Sequence, residues 1–422
     1  MSDRPWSGRR LHVLGIGGAG MSAYALAALA LGAEVTGSDQ ADSPYAREVR
    51  AAGIPVAIGH DPANLPAGPR VEVVASSAVP AANPELVAAR ERGLPVRSRA
   101  ELLAQLTALR RTIAVAGAHG KTTTSSMIAH VLLGCGMDPG YLIGGVLRTT
   151  GANGAWGTGE WLVVEADESD GSFLDLDVDL AVVTNVELDH HARWGSLEEL
   201  RAAFARFEAR AGRVVAWEEP ADVALADGGS TFTWRGHAVR LAVPGLHNAR
   251  NAAAALEAAR LAGAGEAEAV AAIATFAGAG RRFERLGRTA SGALVVDDYA
   301  HHPTEVAATI AAARTLGEPG RVVAVFQPHL YSRTRELAQE FADALAAADR
   351  AAVLDVYPAR ERAEDFPGVS GATIADRAPA HVISTPAFAD VVDTVAPDLR
   401  AGDVLLVMGA GDVQRLGHAL VA

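Results

Sequence analysis

The sequence predicts an α/β protein of three successive domains built from parallel βαβ units. Short apolar runs alternate with helix-length stretches in three separate cycles along the 422 residues, the pattern of strands joined by crossover helices. Two glycine-rich loops each follow an apolar run and open a helix. Half the residues are hydrophobic while aromatics are only 5%, which suits Val/Ala/Leu-rich layers. A chain of this length exceeds one ordinary core and fits two or three domains.

In the first cycle Leu11-His12-Val13-Leu14 reads as a strand, followed by glycines and an Ala/Leu-rich helix. Glu34–Asp39 and Val71–Ala75 read as later strands. Arg9-Arg10 ahead of the run Leu11–Ala33, which lacks charge, has the look of a twin-arginine signal or a membrane span. Gly15, Gly17, Gly18 and Gly20 divide that run into a strand and a helix, so it reads as βα and no membrane contact is expected.

The second cycle opens with Thr112–Ala116, passes a loop at Lys121, and enters a helix over Thr123–Leu133. Strands follow at Trp161–Glu165 and Leu180–Thr184. A helix over Ser196–Ala209 has Ser196 as its cap and Glu198 and Glu199 in its first turn. Asp222–Gly236 is turn-rich and yields no firm element, whereas Asn248–Ala262 is an alanine-rich helix. The third cycle begins after Gly278 and Gly280, with strands at Leu294–Val296, Arg321–Phe326, Ala352–Leu354 and Val404–Met408. Boundaries near 109 and 280 give a Rossmann-like N-terminal domain (1–109), a central P-loop ATPase-type α/β domain (110–280) and a Rossmann-like C-terminal domain (281–422).

A formal net charge of −13 argues against nucleic acid, which demands dense basic patches. The single cysteine, Cys135, cannot form an internal disulfide, so a reducing cytoplasm is the expected compartment. Lys and Arg total 37, yet only Lys121 is lysine. Where a plain positive charge suffices this chain uses arginine; at Lys121 it keeps a compact, flexible ammonium.

That lysine lies in Ala116-Gly117-Ala118-His119-Gly120-Lys121-Thr122-Thr123, between a strand and a helix. In this context backbone N–H groups and the helix dipole converge on an anion. Lys121 would reach the outer phosphates of a nucleoside triphosphate and Thr122 would offer a hydroxyl to Mg²⁺. The first glycine of the G-x-x-x-x-G-K-[ST] pattern is replaced by Val115, and Gly117 is expected to supply the bend. Two acid-rich strand ends follow, Glu165-Ala166-Asp167-Glu168-Ser169-Asp170 and Glu187-Leu188-Asp189-His190-His191. Carboxyl ends of parallel strands are where ligands collect, and oxygen ligands suit Mg²⁺. Glu165, still inside an apolar strand, is the firmest metal candidate; Asp167, Glu168, Asp170 and Asp175 fit a solvated loop equally well.

Gly15-Ile16-Gly17-Gly18-Ala19-Gly20 satisfies G-x-G-x-x-G after a strand, and Asp39 ends the next strand, where it would bond a ribose hydroxyl. The loop recognises phosphates, so it fits NAD, FAD or another nucleotide-linked diphosphate. One diphosphate loop and one triphosphate loop together suggest an enzyme that brings a nucleotide-tagged substrate to ATP.

The motifs in order resemble the Mur ligases of bacterial cell-wall synthesis over nearly the whole chain. They include Gly15–Ser22, Gly117–Thr124, Glu165–Asp170, Thr184-Asn185 with Asp189-His190, and Gly245–Asn251. Gly280–Glu284, Asp297–Pro303 and Phe326–His329 complete the set. Within that family they sit nearest the ligases that join L-alanine to UDP-N-acetylmuramate. The resemblance implies a cytoplasmic, ATP- and Mg²⁺-dependent carboxylate–amine ligase of peptidoglycan precursor synthesis, a pathway of cell shape and division, acting as monomer or homodimer. It implies sugar-nucleotide contacts at Gly15, Gly17, Gly18, Gly20, Met21, Ser22, Ser38, Asp39, Ser76 and Ser77. ATP is implied at Gly117, Ala118, His119, Gly120, Lys121, Thr122 and Thr123, with Asn248 and Asn251 near adenine, Arg282 near phosphate and Asp298 near ribose. Thr122, Glu165 and His190 match metal-site positions. Tyr299, His301, His329 and Arg333 match positions around the amino acid, and closure of the third domain would complete the site.

Where the family often reads His-Arg-Tyr-Thr-Arg, this chain has His329-Leu330-Tyr331-Ser332-Arg333, so Arg333 or Arg335 is left to hold the amino-acid carboxylate. Some relatives carry a carbamylated lysine beside the metal; with no second lysine, this chain cannot. The implied chemistry activates the lactyl carboxylate as an acyl phosphate, with charge on the transferred group spread by Lys121 and Mg²⁺. A neutral amine then attacks, with His190 or His301 as candidate base. Rival readings are a murein-peptide recycling ligase, an NAD-dependent oxidoreductase, which leaves the Lys121 loop unexplained, and a non-catalytic nucleotide sensor.

Overall fold

The computed structural model describes residues 4–68, 70–76, 78–188, 193–318 and 320–421. These form two compact units, one of residues 1–218 and 251–273 and the other of 219–250 and 274–422.

The first unit holds two sheets. Strands β1 (Arg10–Leu14), β2 (Glu34–Asp39), β3 (Val56–Ile58), β4 (Val71–Ala75) and β5 (Val96–Ser98) are all parallel, in the order β3-β2-β1-β4-β5. Helix α1 (Ala19–Ala30) crosses from β1, and α2 (Arg99–Thr107) follows β5. Ser98 caps α2 by accepting from the Glu101 N–H, while Glu101 returns a bond to the Ser98 N–H. Strands β6 (Arg111–Ala116), β7 (Gly140–Leu147), β8 (Ala152–Ala155), β9 (Trp161–Glu165), β10 (Leu180–Val183) and β11 (Arg213–Ala216) form the second sheet, ordered β11-β10-β6-β9-β7-β8. Only β8 runs antiparallel, as a hairpin partner of β7. Helices α3 (Lys121–Gly134) and α4 (Leu197–Arg210) serve this sheet. Ser196 caps α4 through the Glu199 N–H at 3.2 Å, as the sequence predicts.

The apolar run after Arg10 is a buried strand and helix, and none of the described helices is long and apolar enough to cross a membrane. Its alanines allow α1 to pack closely, and one continuous core joins Tyr24 and Ala27 to Ala116, Val164 and Phe173. Asn153 in β8 reaches α1, donating to Ser22 Oγ at 2.9 Å. The two sheets of this unit are thus locked through α1.

In the second unit the stretch read as turn-rich is a three-stranded antiparallel sheet, β12 (Ala221–Ala226), β13 (Gly229–Trp234) and β14 (His237–Leu241). Helix α5 (Leu246–Ala262) follows, and from Asn251 onward it belongs to the first unit. The last sheet contains β15 (Glu284–Arg288), β16 (Leu294–Asp298), β17 (Val322–Phe326), β18 (Arg350–Val353), β19 (Val382–Ser384) and β20 (Val404–Met408), ordered β15-β16-β20-β17-β18-β19. Edge strand β15 is antiparallel and the rest are parallel. Helix α6 (Pro303–Ala313) starts with Pro303 in its first turn and His302 as its cap.

Candidate active site

The loop at Lys121 leaves β6 at Ala116, with the ends of β9 and β10 on either side: Val115 pairs with Glu165, and Ala116 with Val183. Gly117 has φ +139, and a Cβ there would lie 2.1 Å from Thr184 Oγ1, so only glycine can make this bend. The glycine absent at Val115 is not missed, because Val115 is an ordinary buried strand residue. Gly120, at φ +83, precedes the first turn of α3.

Lys121 is held from both sides. Its Nζ donates to Gly117 O at 2.5 Å and to Glu168 Oε2 and Oε1 at 2.8 and 3.1 Å. Burial opposes the charge, but the Glu168 and Asp167 carboxylates outweigh it and hold the ammonium above the usual lysine range. Beside it, Thr122 Oγ1 donates to Glu165 Oε2 at 3.2 Å, and Gly144 N–H donates to Glu165 Oε1. A hydroxyl and a carboxylate meeting at the phosphate loop form an oxygen-rich pair that fits Mg²⁺. His190, the third expected ligand, lies outside the described residues, as do His191, Asp189 and Ser77.

The acids that fit a solvated loop equally well are now separable. Asp167 and Asp170 accept from Arg99 Nη2 at 2.8 and 3.3 Å, and Glu168 carries Lys121. Asp175 is exposed. Burial would raise Asp167, but Arg99 and Lys121 keep its carboxyl well below the usual range. Tyr24 of α1 adjoins the same guanidinium, and burial pushes its phenol up to about 12 against the pull of Arg99. Arg99, at the start of α2, therefore ties the first sheet to the acids beside Lys121. Sequence reasoning did not find it, because it sits in no motif and lies 68 residues from Asp167.

The first glycine loop is set by its own partners. Gly15 turns at φ +74, and Gly17 N–H donates to Asp39 Oδ2 at 2.8 Å while Ser43 Oγ donates to Gly17 O at 2.7 Å. Asp39 thus braces the loop from the end of β2. Met21, Ser22 and Ser38 are buried, and Ser22 Oγ donates to Ala19 O at 2.9 Å. Ser38 Oγ donates to Glu85 Oε2 at 3.0 Å, within a buried set that includes His12 and His60. Burial would raise Glu85, yet hydrogen bonds from His12, Asn64 and Ser38 bring it down to about 2. Ser76 Oγ accepts from Ala78 N–H at 3.3 Å.

Asn248 and Asn251 lie within α5. Asn251 is buried against the phosphate loop, accepting from Thr124 Oγ1 at 3.1 Å, and it crowds Gly120 so that a Cβ there would come within 2.8 Å. Asn248 Nδ2 donates to Pro244 O at 2.7 Å.

In the second unit, Asp298 closes β16 and accepts from Phe283 N–H at 2.7 Å and Ala300 N–H at 2.8 Å. These bonds brace a turn in which Arg281 and Phe283 both have positive φ. Burial pushes the Asp298 carboxyl up to about 6, although Arg282 and both N–H groups pull it down. The guanidinium of Arg282 lies 5.0 Å from the ring centre of Tyr299. Tyr299, His301 and His329 form an edge-to-face series with centroids 5.3 and 6.0 Å apart, and His329 stacks on Tyr357 at 5.9 Å. His301 Nδ1 is 2.9 Å from Tyr299 O. Arg333 is buried, whereas Arg335 is exposed over Phe366. Leu330 takes φ +71 and is itself buried.

Three family descriptions match in succession: Mur ligase family, catalytic domain, over residues 10–111; Mur ligase middle domain over 115–220; and Mur ligase, glutamate ligase domain, over 281–411. The chain is 45% identical to the UDP-N-acetylmuramate–L-alanine ligase of Mycolicibacterium smegmatis, over 98% of this chain and 95% of that one. It belongs to the Mur ligase family. The enzyme of the same description from Kineococcus radiotolerans is 47% identical, over 97% and 94% of the two chains. Among solved structures, the UDP-N-acetylmuramate–alanine ligase of Thermotoga maritima superposes with a TM-score of 0.84 at 27% identity, over 97% of this chain and 98% of that one. A murein peptide ligase from Psychrobacter arcticus gives 0.70 at 25% identity, over 98% and 100%. The three-domain α/β architecture predicted from the sequence is that of this family, and its members' chemistry is ATP-dependent C–N ligation.

Proposed function

We propose that this Mur ligase joins L-alanine to UDP-N-acetylmuramate in peptidoglycan precursor synthesis, converting ATP to ADP and phosphate through an acyl phosphate. The observation that carries the nucleotide half is the meeting of Lys121, Thr122 and Glu165 at the carboxyl ends of β6 and β9. Residues 1–109 serve the sugar nucleotide, 110–280 serve ATP, and 281–422 serve nucleotide and amino acid.

The lactyl carboxylate of the sugar attacks the γ-phosphoryl group, and Lys121 stabilises the charge that develops on it. Thr122, Glu165 and His190 are assigned to Mg²⁺, which when bound would neutralise phosphate charge. The Gly15–Gly20 loop and the first turn of α1 that it opens are assigned to the diphosphate of the sugar nucleotide; Asp39, Ser22 and Ser38 support that loop from behind, with Met21, Ser76 and Ser77 beside it. Gly117 to Thr123 cradle ATP, with Asn248 and Asn251 assigned to adenine, Arg282 to phosphate and Asp298 to ribose. Tyr299, His301, His329 and Arg333 are assigned to the amino acid. His301, whose Nδ1 is fixed on Tyr299 O, is the described candidate for removing the ammonium proton, with His190 the alternative. The amine then attacks the acyl phosphate and phosphate leaves. ATP and the sugar nucleotide place the reaction in the cytoplasm, with no nucleic-acid or membrane partner and a monomer or homodimer as the working form.

The test is an assay with ATP, Mg²⁺, UDP-N-acetylmuramate and a panel of amine acceptors: L-alanine, glycine, L-serine and the tripeptide used in murein recycling. Phosphate release together with a product heavier by one alanyl residue is expected with L-alanine. Release only with the tripeptide would overturn the proposal in favour of the recycling reaction.

A further inference from the structure

The motif Thr184-Asn185 has no part in the chemistry above, yet the structure aims it at the phosphate loop. Asn185 grips the peptide of His119 from both sides: its Oδ1 accepts from His119 N–H at 3.0 Å, and its Nδ2 donates to His119 O at 2.9 Å. Its own carbonyl accepts from Ala118 N–H at 3.2 Å. Thr184 Oγ1 donates to the same His119 carbonyl at 2.6 Å, and Gly117 lies flat against both residues.

These bonds have a consequence for the loop. The amides of Ala118 and His119 are committed to Asn185, so within the ATP cradle these two residues shape the loop rather than supply its amide donors. A triphosphate must therefore be met by the amides at the start of α3, which have no acceptor within the helix, and by Lys121. The direction of that first turn is set by the peptide immediately before it, which Thr184 and Asn185 fix.

We infer that Thr184 and Asn185 are positioning residues that hold the phosphate loop in its nucleotide-receiving form before ATP arrives. The inference rests on the reading of this loop as the ATP site. Preorganisation of this kind is worth more than its hydrogen bonds, because a loop left to order on binding opposes affinity.

The test compares Thr184→Val, which keeps shape and loses the hydroxyl, with Thr184→Ser, which keeps the hydroxyl, and adds Asn185→Ala. Calorimetry with AMP-PNP and Mg²⁺ reports the loop, and UDP-N-acetylmuramate affinity reports an intact first unit. Thr184→Val and Asn185→Ala should raise the KM for ATP about tenfold, the scale of one or two neutral hydrogen bonds, and lower kcat. Their affinity for UDP-N-acetylmuramate should stay within about twofold of the parent's. Thr184→Ser should restore the ATP KM.

A Thr184→Val enzyme with parental KM and kcat would overturn the inference, as would a Thr184→Ser enzyme as impaired as Thr184→Val. Failure of the unaltered protein to bind AMP-PNP would instead strike the ATP-site reading itself.

Discussion

Replacing Lys121 with arginine keeps the charge and changes the geometry, which makes it a stringent perturbation of the site. The ammonium fits between Gly117 O at 2.5 Å and Glu168 Oε2 at 2.8 Å. A guanidinium is a planar fork that pairs bidentately with carboxylate. In this slot it would satisfy Glu168 and stop there, too broad to sit against Gly117 and turned away from the phosphates. The transferred phosphoryl group then loses one preorganised cationic donor, a loss worth about 10²–10³ in kcat where single donors of this kind have been removed. Steady-state phosphate release at saturating substrates measures kcat, and calorimetry with UDP-N-acetylmuramate checks that the other loop is intact. A kcat down by about two to three decades with sugar-nucleotide affinity unchanged is expected. Retention of more than about a tenth of the parental kcat, a loss of under about 1.4 kcal/mol in transition-state stabilisation, would refute the assignment of Lys121.

Glu165→Gln should raise the Mg²⁺ concentration needed for half-maximal phosphate release by at least about tenfold, because a neutral amide is a poorer ligand for a hard cation; a Mg²⁺ titration decides. Arg99→Leu removes the partner of Asp167 and Asp170 and should cost about 1–3 kcal/mol, less than a fully buried pair because the side chains keep some exposure. Differential scanning calorimetry should then show the transition of the first unit lowered by several degrees. His247 is half-buried, and burial brings its imidazole down to about 4 despite the nearby Glu305 carboxylate. Because the folded value lies below the unfolded one, the stability it contributes is full above about pH 6.5 and is lost as pH falls towards 4. The parent should lose about 1–3 kcal/mol more than His247→Asn across that window, read as a steeper fall of Tm with acid; equal slopes would remove His247 as the cause.

Most parallel strands were legible in the sequence because they are fully buried, short and bounded by glycine. The runs at 11–14, 112–116 and 404–408 need no partner to be recognised. The sheet of β12 to β14 was not, because its outer strand is exposed and its short strands alternate with charged turns. A signal was present. Asp227-Gly228 and Arg235-Gly236 each place two successive residues at positive φ, the geometry of a two-residue hairpin turn, and Asp-Gly favours such turns. In the site, residues adjoining the phosphate loop were legible from motif and context. Side-chain partners were not. That Asp39 would brace Gly17, that Asp298 would brace Phe283 and Ala300, or that Arg99 would claim Asp167 depends on strand order, which no single motif encodes.

The contact between Lys121 and Glu168 gives the loop an internal counterion. An ammonium enclosed beside phosphate-binding amides would otherwise be costly to keep charged. On the proposed assignment ATP would replace one anion with another, so the free energy gained would be a difference between two ion pairs rather than the formation of one. Such exchange would moderate nucleotide affinity while leaving the cation charged and close at hand throughout. On the same assignment Glu168 would take Lys121 back as the outer phosphate departs, so the loop would not pass through a bare, unpaired charge.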